Sequence, residues 1–176
     1  MLSEKIYLAS AIKRMLYYKE LGYKTFAQLD EKDLDFLPAE ECNSIAMIIQ
    51  HIHGNMLSRW THFLTADGEK EWRKRDKEFK KQTFTKAQLI DLWNDGWDCF
   101  IAALQSLSED DLQKTIYIRS QPLSVIDAIN RQFAHYPYHV GQIIYAAKIL
   151  KNKQWQNLSV PKGKSAEFNN ELKNQP

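Results

Sequence analysis

The stretch from Phe84 to Leu107, FTKAQLIDLWNDGWDCFIAALQSL, carries the clearest secondary-structure signal in the chain. Its apolar residues recur at helical spacing and form a single stripe, made up of Leu89, Leu92, Trp93, Phe100, Ala103 and Leu107. Thr85 precedes the stripe and Gln88 follows three residues later, which is the pairing of a capping box. We therefore predict a helix that is capped by Thr85 and buries this stripe.

Three further segments show the same helical period. The predicted helices span about 3–30, 44–67 and 124–152, and an Asp67-Gly68 pair supplies the stop of the middle one. Four long helices without a regular alternation of strands and helices predict an all-α fold, specifically a four-helix bundle. We expect residues 1–176 to form one domain.

The connections between these helices differ in character. Residues 68–84, GEKEWRKRDKEFKKQTF, form a long, charge-dense linker that predicts a crossover between the second and third helices. We interpret this linker as a solvated segment held down by Trp72 and Phe79. The alternating residues of 112–121 favour a short extended segment or hairpin arm, and residues 158–176 predict a tail that packs on the bundle.

Composition excludes several classes of function. The chain has 176 residues, of which 44% are hydrophobic and 26% charged, and its net charge of +2 is too small to indicate a nucleic-acid or acidic-membrane partner. No run of about 18 apolar residues predicts a membrane span. Cys42 and Cys99 follow no metal or redox spacing, so we expect both to be buried, reduced thiols in a soluble, cytoplasmic protein.

Two histidines stand four residues apart in the predicted fourth helix, within FAHYPYHVGQI at 133–143. Residues at this spacing lie on one helical face, so the imidazoles of His135 and His139 can aim at one metal ion. The same spacing is compatible with two hydrogen-bonded core histidines. Pro137 lies between them, and we predict that it bends the helix and helps to leave space beside the ion.

A third ligand would come from the second predicted helix. His51 borders its apolar stripe, whereas His53 lies about 200° further round and faces away from His51. His62 returns to nearly the same face as His51, but about 16 Å along the axis. Spacing alone leaves His51 and His62 almost equal as candidates for the third ligand, and we prefer His51.

Other catalytic centres lack support in the sequence. It contains no glycine-rich phosphate loop and no nucleophile elbow. A di-iron bundle is disfavoured because no glutamate precedes His135 or His139 by three residues.

Two motifs together resemble the DinB/YfiT-like superfamily. They are SIAMIIQHIHGN in the second predicted helix and HYPYHVGQI in the fourth, and the superfamily pattern places a histidine near SIAxxLxHL and ends in His-x-x-x-His-x-Gly-Gln. The likeness covers most of the chain, and GNMLSRWTHFLTADGEKEWRKRD and LSVPKGKSAEFN are similar to a bacterial subfamily of uncharacterised function. The resemblance implies a four-helix bundle with an unusual crossover.

The resemblance also implies a metal site. It matches His51, His135 and His139 to the ligands, with zinc or nickel as the metal, and leaves His53 and His62 outside. Known activities of the superfamily include bacillithiol and mycothiol S-transferases and maleylpyruvate isomerases, so a low-molecular-weight thiol is an expected partner. A homodimer is expected too.

The sequence leaves three functional hypotheses open. In the first, a three-histidine metal activates a small thiol or water for transfer or hydrolysis. Asn55, Arg131 and Tyr138 then become candidates to support the ligands or contact substrate, although each is also compatible with a surface or interhelical role. In the second, the protein is a non-catalytic metal-binding, ligand-binding or stress-response protein; in the third, it is a dimeric helical scaffold.

Overall fold

The computed structural model describes residues 2–174, with the side chains of residues 2–4 left aside. Met1, Gln175 and Pro176, at the ends of the predicted domain and tail, lie outside the described residues. The fold is all-α with one small hairpin. Its elements are α1 (Leu2–Phe26), α2 (Ile45–Trp60), α3 (Arg75–Glu78), α4 (Lys86–Gln105), β1 (Thr115–Ile118), β2 (Gln121–Ser124), α5 (Val125–Lys151) and α6 (Ser165–Lys173).

Helix α4 forms as its sequence predicts. The Gln88 N–H donates to Thr85 Oγ1 (3.2 Å), and the Thr85 N–H donates to Gln88 Oε1 (2.9 Å), so both halves of the capping box are present. The buried face includes Trp93, Trp97 and Phe100, which are among the most buried residues of the core. Local capping and a continuous apolar stripe thus place this helix at the centre of the fold.

Helices α2 and α4 lie side by side and run parallel. His53 near the middle of α2 meets Asp95 (Nε2–Oδ2, 2.8 Å), and Trp60 at its end packs on Phe100 (ring centroids 4.8 Å apart), so residue numbers increase together. A connection between parallel neighbours must return along their length. This explains why the linker between α2 and α4 is long.

Helix α1 packs antiparallel to α4. Lys19 pairs with Asp98 (2.5 Å), whereas Phe26, later in α1, packs on Trp93, earlier in α4 (centroids 5.1 Å apart). The numbers run in opposite directions along the interface, so α1 points against both α4 and α2.

Helix α5 runs parallel to α1. The Tyr7 hydroxyl donates to Asn130 Oδ1 (2.7 Å) near the start of both helices, and Lys151 at the end of α5 pairs with buried Asp33 just after α1 (2.6 Å). In chain order, the four long helices therefore point up, down, down and up.

Two helix ends differ from the predictions. Helix α1 ends at Phe26 rather than near residue 30, because Asp30 starts a 3₁₀ turn in which its N–H donates to Asp33 Oδ2 (2.8 Å). Helix α2 ends at Trp60, not at Asp67-Gly68. There the Ser58 hydroxyl donates to the Gly68 carbonyl (2.7 Å), so the chain folds back over the last turn of the helix.

The predicted hairpin arm is confirmed as the antiparallel pair β1–β2. Arg119 and Ser120 connect the strands, and both have positive φ (56° and 59°), as a tight hairpin turn requires. Asp67 accepts hydrogen bonds from both turn N–H groups (2.9 and 2.7 Å), and the Gly68 N–H donates to the Tyr117 carbonyl (2.8 Å). The hairpin is thereby fastened to the beginning of the linker.

The remaining segments lie at the periphery. Trp155 and Leu158 pack partly buried against the core, whereas the residues of α6 are exposed. Cys99 is half-buried, but Cys42 is exposed, contrary to the expectation that both thiols are buried. Within residues 2–174, every helix is too short or too polar to span a lipid bilayer.

Candidate metal centre

Three histidines from α2 and α5 converge inside the fold. The Nε2 atom of His135 lies 3.4 Å from Nε2 of His51 and 3.1 Å from Nε2 of His139, and the ligand atoms of all three lie within 4.8 Å of one another. Two imidazole nitrogens bound to one tetrahedral zinc ion, each at about 2.0–2.1 Å, would lie about 3.3 Å apart. The distances of 3.4 and 3.1 Å from His135 to the other two histidines therefore fit a shared metal ion.

The outer ring nitrogens determine which atoms face the centre. His51 Nδ1 lies 2.9 Å from Glu78 Oε2, and His139 Nδ1 lies 2.8 Å from Gln142 Oε1. These oxygens only accept, so both Nδ1 atoms carry a proton, and in the neutral form of each ring the Nε2 atom presents a lone pair inward. His135 Nε2 can donate a proton to only one of them. A cation would satisfy all three, which is the pattern of a metal-binding cluster.

The surroundings keep two of these imidazoles neutral. Burial lowers the pKa of His135 to about 3, and the neighbouring His139 and His51 rings together with the charge of Arg131 add to the effect. Burial lowers the pKa of His139 to about 4, although its hydrogen bond to Gln142 acts in the opposite direction. Neutral imidazole is the form that binds a metal, so both are ready as ligands near pH 7.

A carboxylate from the linker, largely but not fully buried, orients His51. Glu78, the last residue of α3, accepts hydrogen bonds from Arg73 at both oxygens (Nε–Oε1 2.8 Å and Nη2–Oε2 2.9 Å) as well as from His51. Burial alone would raise the Glu78 pKa, but the hydrogen bonds from His51 and Arg73 and the charge of Arg73 lower it below its ordinary value. Glu78 therefore stays ionised beside His51.

The close approach of Glu78 to α2 depends on Gly54. A Cβ atom at this position would overlap the Glu78 carboxylate, which the bonds to Arg73 and His51 hold in place. Phe79 follows Glu78 and covers the His51 ring (centroids 4.8 Å apart). The HGN sequence at 53–55 thus leaves room for the linker to reach the histidines.

The linker therefore differs from the interpretation drawn from sequence. Trp72 is exposed, as in a solvated segment, but the Arg73 side chain is only 2% exposed and Glu78 is part of the cluster. Neither residue shows helical or strand periodicity, and the Glu78–His51 contact spans 27 positions. The sequence signal for this contact is limited to the adjacent pair Glu78-Phe79, an acidic residue next to an aromatic that can cover an imidazole.

The three candidate supporting residues take different places. Asn55 is buried, and its Oδ1 accepts from the Tyr136 hydroxyl (3.1 Å), which in turn accepts from Trp60 Nε1 (3.0 Å). Asn55 and Arg131 line one cleft beside His51 and His135. Tyr138 packs against the His139 ring but is 60% exposed and does not line the cleft.

The other two histidines lie outside the cluster. His53 pairs with Asp95 on α4, and His62 follows the end of α2 with a positive φ of 51°. Helix α5 is continuous from Val125 to Lys151 across Pro137. The bend that we expect at this proline stays a prediction.

Comparison with known proteins places the chain in a family. No curated protein matches its sequence. A family model described as "Protein of unknown function (DUF1572)" matches residues 3–164, which include the four long helices except the first residue of α1, and the three clustered histidines. The chain therefore belongs to the DUF1572 family of proteins of unknown function.

Proposed function

We propose that the protein is a metal-dependent enzyme of DinB/YfiT-like type, built as a four-helix bundle with a long crossover between α2 and α4. His51, His135 and His139 would hold a divalent metal, zinc or nickel. The observation that carries the proposal is the convergence of three histidines, in which His135 Nε2 lies 3.4 Å from His51 Nε2 and 3.1 Å from His139 Nε2, with the Nδ1 atoms of His51 and His139 directed outward. The up, down, down, up order of the helices and the two histidine motifs support the assignment to this type.

The proposed reaction is transfer or hydrolysis with a small thiol or water as nucleophile. A divalent metal with open coordination positions lowers the pKa of a bound thiol or water and stabilises the resulting anion. The protein's own groups prepare the site for this. Glu78 fixes the tautomer of His51, Gln142 does the same for His139, and Phe79 shields the His51 ring from water.

Metal analysis of the full-length protein, purified without added metal, tests the ligand set. We expect close to one zinc or nickel per chain, and a large loss of metal in His139→Ala. His53→Ala is the matched control, because this histidine lies on α2 outside the cluster and should leave the metal content unchanged. Full metal content in His139→Ala would remove the proposal.

The catalytic part needs a separate measurement. Metal-loaded protein is incubated with an electrophile and a panel of low-molecular-weight thiols, alongside His135→Ala. Thiol-dependent conversion that disappears in the variant supports the enzyme. Equal rates, combined with histidine-dependent metal binding, would instead favour a non-catalytic metal-binding or stress-response protein.

The homodimer also stays a proposal. Tyr138, Tyr145 and Ile149 are exposed and share one face of α5 because they are spaced seven and four residues apart. Such an apolar face is suited to a second copy of the chain. A monomer in sedimentation at working concentration would contradict it.

A further inference from the structure

A cleft of about 230 Å³ opens beside His51 and His135 and is lined by five arginines. They come from four parts of the chain and comprise Arg59 of α2, Arg73 and Arg75 of the linker, Arg119 of the hairpin turn and Arg131 of α5. None of the described residues that line the cleft is acidic. Bringing so many like charges together is unfavourable unless something negative offsets them.

Two carboxylates outside the lining offset part of this charge. Glu69 Oε2 accepts from both terminal nitrogens of Arg59 (3.1 Å each) and from Arg119 Nε (2.9 Å). Glu78 accepts from Arg73, and it also serves His51. These bonds fix three guanidinium groups in position but leave two acidic groups to share among them.

The other two arginines stand at the solvent-facing side of the cleft. Arg75 stacks on Phe79, and its nearest paired carboxylate, on the highly exposed Asp76, is 4.0 Å away. Arg131 is exposed and makes no hydrogen bond or ion pair among the described residues. Both can therefore turn their donors toward a ligand in the cleft.

A buried amide in the same cleft lacks a partner. Gln132 is 2% exposed, lines the cleft, and its Oε1 atom has no hydrogen-bond partner among the described residues. A buried side-chain amide is almost always hydrogen-bonded, and this oxygen only accepts, so it calls for a donor in the cleft such as a water molecule or a ligand hydroxyl. Asn55 uses its Oδ1 for the Tyr136 hydroxyl, which leaves its NH₂ group as a further donor.

We infer that this cleft binds an oxyanion group, a carboxylate or phosphate, carried by a small molecule, and holds it beside the three histidines. Arginine matches such groups with paired N–H donors, and the NH₂ groups of Asn55 and Gln132 can donate the remaining hydrogen bonds to the anion. That the bound molecule is a substrate rests on the proposed function. The binding of the anion itself does not require the metal.

Calorimetric titration of the full-length, metal-depleted protein tests the inference. Malonate and inorganic phosphate are added separately at constant ionic strength, and dimethyl malonate serves as the uncharged counterpart. We expect one saturable site per chain for at least one anion and none for the ester. Arg131→Gln should weaken binding by about tenfold or more, the typical effect of removing a charge-assisted bond.

Arg14→Gln is the matched control, because it removes the same charge from an exposed position on α1 outside the cleft. Tighter binding of phosphate identifies a phosphorylated ligand and tighter binding of malonate a carboxylate, and either result supports the inference. The absence of saturable binding for both anions would overturn it, as would equal affinities of Arg131→Gln and Arg14→Gln. Anion binding without metal uptake would remove the proposed metal-dependent enzyme but leave the anion site. Metal uptake without anion binding would remove the anion site but leave the proposed enzyme.

Discussion

Replacement of Glu78 by glutamine tests whether the linker carboxylate supports the metal centre. Glu78 accepts three hydrogen bonds at 2.8–2.9 Å, two from Arg73 and one from His51. A glutamine has one oxygen that accepts and an NH₂ group that donates. In the same position the amide NH₂ must face a donor of either Arg73 or His51, so at least one of these contacts becomes repulsive.

Two separate effects follow from this change. Loss of a carboxylate that orients a metal-binding histidine typically weakens metal affinity about 10–100-fold, or about 1.4–2.7 kcal/mol. The Arg73 side chain, only 2% exposed, also loses its buried ionic partner, which typically destabilises a fold by about 3–5 kcal/mol. We therefore expect Glu78→Gln to lower both the metal affinity and the free energy of unfolding.

Competition with a chromophoric chelator measures the zinc affinity, and chemical denaturation measures stability. Asp33→Asn is the matched control, since it removes another buried carboxylate, paired with Lys151 at the end of α5. This control should reduce stability while leaving the zinc affinity unchanged. A folded Glu78→Gln protein that binds zinc within about twofold of the unmodified chain would refute the role assigned to this carboxylate.

Three further changes probe the same region. Gly54→Ala should displace the Glu78 carboxylate and reduce zinc affinity by about tenfold or more in the chelator assay, and an unchanged affinity would contradict the tight approach. Metal-free protein should lose stability as pH falls from about 6.5 to 4.5, because the unfolded chain protonates first while the pKa values of His135 and His139 are lowered to about 3 and 4. Denaturant midpoints measure this stability. The double variant His135→Ala/His139→Ala should lose less stability over the same pH range. Tyr136→Phe should cost about 2 kcal/mol of unfolding free energy by leaving two buried partners unpaired, and a loss below about 0.5 kcal/mol would argue against that chain of hydrogen bonds.

The parts of the fold that follow from sequence are those determined locally. Helix α4 begins where the capping box of Thr85 and Gln88 places it, because both bonds lie within four residues. The end of α2 depends instead on a bond from Ser58 to the Gly68 carbonyl, ten positions away, and helical periodicity contains no trace of it. Because periodicity does not locate the end of α2, it leaves His51 and His62 as nearly equal candidates for the third metal ligand. With α2 ending at Trp60, His62 is no longer on the helix.

The candidate centre was only half predictable for a related reason. Its histidines lie on helix faces, where spacing gives direction, whereas Glu78 and Phe79 arrive from a segment without periodicity. Asp67, directly before the linker, holds the hairpin turn, and Glu78 within the linker holds His51. Any ion that binds the folded cluster and not the unfolded chain would stabilise this arrangement, by about 4 kcal/mol at a thousandfold excess over its dissociation constant. The charge-dense linker is thus better understood as part of the site than as a connection between helices.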